Sequence, residues 1–135
     1  MKVHKTEIRV RFGDTDPFGV VYYVSYFRYI KDALDEYIRS SGFEPEKFYR
    51  DVKRKIGFPI VEAFCQYRAP ARYDDLLEIH TSIKEIKEKS IKFNFDVYKK
   101  EEKKFLANGY LTILAIDENW RPIKIPDDIR NLLTK

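Results

Sequence analysis

The chain has few of the residues that bring metal or redox chemistry to a protein. Its 135 residues include one cysteine and two histidines, too few for a disulfide framework or a Cys/His zinc site. No apolar run approaches the ~18 residues of a membrane-spanning helix, and the charged opening residues lack the apolar segment of a secretory signal. We therefore expect a cytoplasmic protein with no membrane span, no bound metal and no cofactor.

The composition nevertheless supports a folded core. The chain is 44% hydrophobic and 16% aromatic, which excludes intrinsic disorder, and its length predicts a single domain over residues 1–135. The 26 lysines and arginines exceed the 22 aspartates and glutamates, for a net charge of +4. That balance suits an anionic partner, such as nucleic acid, a phosphorylated cofactor or an acidic carrier protein. It is equally typical of a solvated surface rich in lysine and glutamate.

The first part of the chain changes from a strand pattern to a helix pattern. Ile8, Val10 and Phe12 alternate with charged residues and predict a half-buried strand over 7–12. Apolar residues then recur at three- and four-residue spacing, which predicts an amphipathic helix over 22–41.

The rest of the chain is mostly strand-like. Pro45 and the basic triplet 53–55 predict a weaker helix over 44–55. Alternating apolar residues then predict strands near 59–69, 76–88, 90–100 and 104–117, followed by a short helix over 127–133. Strands grouped away from helices indicate an α+β fold with an antiparallel sheet. Because one long helix cannot cover both edges of such a sheet, we expect dimerisation through an edge.

The loop between the first strand and the long helix carries the most informative residues. Pro17 holds Asp16 in an extended conformation, and Gly19 can adopt a positive φ that turns the chain into the helix. The helix start near Tyr22 and Tyr23 offers unpaired N–H groups and the positive end of the helix dipole. A carboxylate facing such donors can attack a carbonyl, or activate water against it, while the donors bind the oxyanion. The same residues are also typical of a plain turn or helix cap.

Other candidate residues have mainly structural interpretations. Phe18, Tyr22 and Tyr26 lie where they could line an acyl pocket or belong to the core. Asp14 is interpreted as a hydrogen-bonding turn residue, and Cys65 as a packed residue on an alternating strand rather than a nucleophile.

The loop resembles a known signature. It reads D-T-D-P-F-G-V-V-Y-Y-V-S-Y from Asp14 to Tyr26. This is similar to the pattern D-x-D-x-x-G-h-V-x-[YH]-x-x-Y, with h apolar, of hotdog-fold acyl-CoA thioesterases in the 4-hydroxybenzoyl-CoA thioesterase and YbgC-like family. Further similarity lies in 57–61, 67–79 and 89–91, so the resemblance covers nearly the whole chain.

The resemblance implies a hotdog fold, in which a curved antiparallel sheet of about five strands wraps a long helix. It also implies a homodimer or homotetramer with active sites at the subunit interface. Asp16 would be the catalytic nucleophile or general base, and the backbone N–H of Tyr23 would polarise the thioester carbonyl. Tyr23 stands where many YbgC-like members carry histidine, which matches the hydroxybenzoyl branch better and leaves Asp16 without an imidazole neighbour.

Substrate contacts follow from the same resemblance. The acyl-CoA would contact Gly19, Tyr22 and Tyr26, and its phosphates would lie near Lys87, Lys89 and Ser90. Lys92 and the basic cluster 53–55 are further options for the phosphates. Coenzyme A is part of the substrate here and not a cofactor.

Three other functions fit parts of the sequence. A non-catalytic acyl-CoA sensor or acyl-carrier-protein binding module would keep the pocket without turnover. A hotdog hydratase or dehydratase usually needs a histidine base, and neither histidine lies in the loop. A nucleic-acid-binding domain would interleave basic residues with exposed aromatics on one sheet face, whereas most aromatic residues here fall at core-facing positions.

Overall fold

The computed structural model describes residues 2–135 and contains a five-stranded antiparallel sheet with a long helix packed across one face. The strands are β1 (His4–Arg9), β2 (Arg50–Asp51), β3 (Ile56–Gly57), β4 (Ile60–Tyr67), β5 (Leu76–Ile86), β6 (Ser90–Lys99) and β7 (Lys104–Leu114). The helices are α1 (Tyr23–Ser40), α2 (Pro45–Tyr49) and α3 (Asp127–Leu133). The sheet order is β1-β5-β6-β7-β4, and β2 and β3 form a separate hairpin. The predicted α+β class is confirmed.

Helix α1 is the centre of the core. Its apolar face is fully buried against the sheet, and the ring of Tyr37 contacts that of Phe93 at 5.4 Å between centroids. The helix ends where Gly42, at φ +102°, directs its N–H to the carbonyl of Arg39, a conformation that glycine adopts without strain. No helix within residues 2–135, α1 included, is both long and apolar enough to span a membrane.

Two predicted elements differ from the structure. The first strand covers 4–9 instead of 7–12, and Phe12 is 75% exposed instead of core-facing because the chain enters a tight 3-10 turn over Phe12–Asp14. The helix predicted over 44–55 ends at Tyr49. Residues beyond it form the β2–β3 hairpin, whose turn is held by the Asp51 carboxylate accepting from the backbone N–H of Arg54 at 3.0 Å.

The two edges of the sheet differ in character. Edge strand β1 exposes the charged side chains of Lys5, Glu7 and Arg9, which discourage pairing with another chain. Edge strand β4 instead exposes large apolar side chains on an unpaired edge, with exposed fractions between 39% and 55% for Ile60, Val61, Phe64 and Tyr67. An apolar edge of this kind is the one suited to pairing with a partner.

Candidate active site

Asp16 lies in a tight turn between the 3-10 turn and α1. Its backbone N–H donates to the carbonyl of Val20, and its carbonyl accepts from Gly19, both at 2.9 Å. Gly19 has φ +79°, as this turn requires. The N–H of Phe18 donates to Asp16 Oδ1 at 2.8 Å, while no group within residues 2–135 donates to Oδ2. The turn therefore fixes the carboxylate and leaves one of its oxygens open.

The side chain of Asp14 holds the residues that precede this turn. Its side chain is buried and accepts hydrogen bonds from the backbone N–H of Arg11 at 2.9 Å and from the hydroxyl of Tyr29 at 2.7 Å, and it forms an ion pair with Arg28. Burial alone would raise the pKa of Asp14, but these donors outweigh it and hold the pKa below its usual range. Asp14 is thus a hydrogen-bonding residue of the loop, as its sequence position suggested.

The anchoring predicts a pH-dependent contribution to stability. A carboxyl whose pKa is lowered by folding stabilises the fold above about pH 4 and loses that effect as pH falls through the lowered pKa. We expect Asp14→Asn to reduce the free energy of unfolding at neutral pH by about 1–3 kcal/mol. Urea unfolding at several pH values should show this difference narrowing below about pH 4. The exposed Asp127→Asn is the control, and a difference that is constant with pH would contradict the assignment.

The start of α1 leaves two backbone donors without an acceptor within residues 2–135, the N–H groups of Tyr23 and Val24. The sequence predicts free N–H groups near Tyr22 and Tyr23. The N–H of Tyr22 is instead hydrogen-bonded, because it donates to the carbonyl of Asp14 at 2.8 Å. The N–H of Tyr23, the first residue of α1, has no acceptor within residues 2–135. The hydroxyl of Tyr67 donates to the carbonyl of Tyr23 at 2.9 Å. Strand β4 thereby holds the peptide at the start of the helix.

A cavity of about 310 Å³ opens at this helix start, and we call it the site cavity. Its lining comes from the loop, from α1 and from the end of β4, and comprises Val20, Val21, Tyr23, Tyr26, Tyr67, Arg68, Ala69 and Pro70. Burial raises the pKa of Tyr26 and of Tyr67 to about 12, so both hydroxyls stay neutral. The site cavity therefore presents apolar and neutral tyrosine side chains next to the open N–H, together with the one charged residue of its lining, Arg68.

The residues expected to contact the acyl group are only partly brought together. Tyr26 lines the site cavity, whereas Phe18 is 86% exposed at the tip of the turn and does not line it. Tyr22 is exposed and lies outside the lining, and its ring contacts that of Tyr23 at 4.8 Å. Its hydrogen bond with the Tyr23 hydroxyl is the main cause of a raised pKa of Tyr22, and the charge of Asp16 adds a smaller effect.

The residues expected near the CoA phosphates lie at the other end of the sheet. Lys87, Lys89 and Ser90 form the tip of the β5–β6 hairpin, where Ser90 pairs with Leu114. Tyr67 pairs with Ala107 of β7, and Ala107 pairs in turn with Val97 of β6. Val97 is seven residues along β6 from Ser90, so Tyr67 and the hairpin tip are about 20 Å apart along the strand direction. Within one subunit the hairpin tip therefore does not meet Asp16.

One contact at the candidate site was not predicted from the sequence. Tyr67 was not singled out from the sequence, where it is one more apolar residue of an alternating strand, and no local signal pairs it with Tyr23.

Cys65 is half-buried, and burial raises its pKa to about 11, which keeps it an unreactive thiol. Residues 2–135 contain no group of three or more His, Cys, Asp or Glu side chains arranged to hold a metal ion.

The sequence of the chain is similar to those of known thioesterases. The model of the thioesterase-like superfamily matches residues 10–133. The acyl-CoA thioester hydrolase YbgC of Escherichia coli O6:H1 is 29% identical to the chain, with 90% of the chain and 89% of that protein covered.

Solved structures of thioesterases are also similar to this fold. A gentisyl-coenzyme A thioesterase superposes with a TM-score of 0.82 at 33% identity, covering 94% of this chain and 99% of that one. An Asp-to-Asn mutant of 4-hydroxybenzoyl-CoA thioesterase, complexed with 4-hydroxybenzoyl-CoA, superposes with a TM-score of 0.87 at 28% identity, covering 98% and 99% of the two chains. The expected hotdog fold is confirmed by these neighbours, and the chain belongs to the thioesterase-like superfamily of thioester hydrolases.

Proposed function

We propose that this protein hydrolyses an acyl-CoA thioester to the free acid and CoA, with Asp16 as its catalytic carboxylate. The observation that carries the proposal is that the Asp16 turn and the start of α1 border the same cavity. Asp16 itself does not line the site cavity, but its backbone N–H donates to the carbonyl of Val20, which does, and one oxygen of its carboxylate is open. The unpaired N–H of Tyr23 belongs to a residue of the cavity lining. We propose that the thioester carbonyl binds with its carbon towards the carboxylate and its oxygen towards this N–H.

The chemistry follows from these two groups. Asp16 either attacks the carbonyl carbon, forming an acyl-enzyme anhydride that water then hydrolyses, or takes a proton from the water that attacks. In both cases negative charge develops on the carbonyl oxygen, and the Tyr23 N–H together with the helix dipole stabilises that charge. The thiolate of CoA leaves readily, so the reaction requires no imidazole base.

We further propose that the active protein is a homodimer paired through β4. An antiparallel pairing about a two-fold axis at Ala63, near the middle of β4, would place Ala63 opposite its own copy and Ile60 close to Tyr67 of the partner subunit. This pairing covers the apolar edge. It also brings the partner subunit's hairpin end towards the site cavity.

The dimer supplies a role for the lysines at the hairpin tip. No carboxylate within residues 2–135 forms an ion pair with Lys89, while Lys87 lies 3.5 Å from Glu85. We propose that Lys87, Lys89 and Ser90 of one subunit hold the phosphates of the CoA that is hydrolysed at Asp16 of the other. Lysine serves here as a point charge for phosphate.

Free-thiol release from a panel of acyl-CoAs tests the proposed function. We expect turnover of at least one acyl-CoA well above the rate without protein, with the preferred acyl group reporting the shape of the pocket. An acyl-carrier-protein thioester belongs in the same panel, since it shares the acyl and pantetheine parts. Tight binding of CoA esters without any thiol release would contradict the proposal and indicate a non-catalytic binding module.

A further inference from the structure

A second cavity, of about 480 Å³, lies where the β2–β3 hairpin faces the loop that follows β7. We call it the Trp120 cavity. Its apolar lining includes Tyr49, Ile56, Phe58, Pro59, Ile116 and Trp120. The volume is in the range of pockets that bind small organic ligands, and such pockets are predominantly apolar. Nothing in the chemistry at Asp16 within one subunit uses this cavity.

Trp120 is an unusual residue for its position. It has φ +62° in the turn that follows β7, where the Asp117 carboxylate accepts the N–H groups of Asn119 and Arg121 at 2.8 and 3.0 Å. A left-handed conformation favours glycine or asparagine and is rare for a bulky side chain. The indole is nevertheless 73% exposed, so the fold gains little from it. Val52, 71% exposed, also lines this cavity, from the turn of the β2–β3 hairpin.

Five charged residues line the Trp120 cavity, namely Arg50, Asp51, Lys55, Asp117 and Glu118. Three of them have ion-pair partners. Asp51 forms an ion pair with Arg54 at 3.0 Å, and Glu118 lies 3.6 Å from Lys55. Asp117 is engaged by the backbone of its own turn. With three acidic and two basic residues, the lining has no cluster of positive charge for the phosphates of CoA. An uncharged apolar ligand suits the cavity best.

The proposed dimer joins this cavity to the active site. Pro59 lines the Trp120 cavity and directly precedes β4. Pairing of β4 about Ala63 would place Ile60 and Pro59 close to Tyr67 of the partner subunit, and Tyr67 lines the site cavity. The two cavities therefore adjoin across the paired edge. A molecule whose carbonyl lies at Asp16 of one subunit can extend into the Trp120 cavity of the other.

We infer that the Trp120 cavity of one subunit receives the acyl group of the thioester hydrolysed at Asp16 of its partner, and that it selects long or bulky apolar acyl groups. This inference rests on the proposed function and on the β4 dimer. Trp120 and Val52 act as specificity residues that cover the distal part of the acyl group. They have no part in the bond-breaking step, so a short acyl group that ends before the cavity gains nothing from them.

The test compares kcat/KM for dodecanoyl-CoA with kcat/KM for propionyl-CoA in the parent and in Trp120→Gly. Glycine relieves the left-handed backbone at this position, so a loss of activity cannot be attributed to a strained fold. We expect the dodecanoyl-to-propionyl ratio to fall at least about tenfold, the usual effect of lost apolar contacts in a pocket. Val52→Phe, which narrows the cavity, should shift the preferred chain length downward. Val3→Asp, on an exposed residue that does not line the cavity, should leave the ratio unchanged.

Other outcomes overturn the inference in distinguishable ways. An unchanged ratio in Trp120→Gly, with turnover retained, would remove the acyl group from this cavity while leaving the thioesterase proposal intact. Weakened dimerisation in size-exclusion chromatography with light scattering, with no change in chain preference, would indicate that a side chain of the partner occupies the cavity. A parent protein that hydrolyses none of the acyl-CoAs would instead refute the proposed function itself.

Discussion

Replacing Asp16 with asparagine is expected to lower kcat for acyl-CoA hydrolysis at least about 100-fold, with KM close to that of the parent. Asparagine retains an oxygen that can accept the N–H of Phe18, the contact that holds the turn. The variant therefore keeps the loop and the site cavity. What it loses is the negative charge that attacks the carbonyl or activates water, and that loss falls on the transition state rather than on binding.

Asp75→Asn is the matched control. Asp75 is also a carboxylate in a loop, and its Oδ2 accepts the backbone N–H of Arg72 at 2.8 Å. Its substitution should leave kcat within about twofold of the parent, since changes away from the reacting atoms act mainly through stability. If Asp16→Asn retained more than a tenth of the parent activity, Asp16 would be a turn residue and another group would carry the reaction.

The fold was predictable where local pattern and tertiary packing agree. The apolar spacing of α1 placed its start within one residue of Tyr23, because the same face that repeats in the sequence is the face that packs on the sheet. Local pattern failed at the helix predicted over 44–55. Phe48 stacks on Phe58 at 4.7 Å, and the carbonyl of Tyr49 accepts the N–H of Phe58 at 2.9 Å. These contacts turn the chain back on itself, and no residue spacing reveals them.

The candidate site was predictable to a similar degree. Asp16, Gly19 and Tyr23 lie close together in sequence, so their turn and helix start could be inferred directly. Asp14 shows the limit of that inference. Its carbonyl accepts the N–H of Tyr22, so the open donors at the helix start within residues 2–135 are the N–H groups of Tyr23 and Val24. Tyr67, 44 residues from Tyr23 in sequence, reaches the site only through the pairing of β4 with β7.

Introducing a lysine at the middle of β4 is expected to convert the protein to a monomer and lower turnover at least about 100-fold. In Ala63→Lys, the two-fold pairing would bring the new ammonium groups of both subunits close together, and a charge on an edge strand opposes pairing. Ala63 is exposed in the single subunit, so the fold itself should tolerate lysine. The activity falls because each site cavity loses the partner surface that completes it, and small losses of positioning cost about 100-fold in rate.

Glu7→Lys places the same charge on the opposite edge strand, β1, and should remain dimeric and active. Light scattering after size exclusion, circular dichroism and thiol release on both variants separate the possible outcomes. A folded Ala63→Lys monomer that turns over at the parent rate would mean that one chain contains the whole active site, and that the lysines of the hairpin tip act elsewhere. A variant that remains dimeric would mean that another surface forms the dimer. Loss of dimer and activity together, with helix content retained, is the result expected if β4 joins the two halves of each active site.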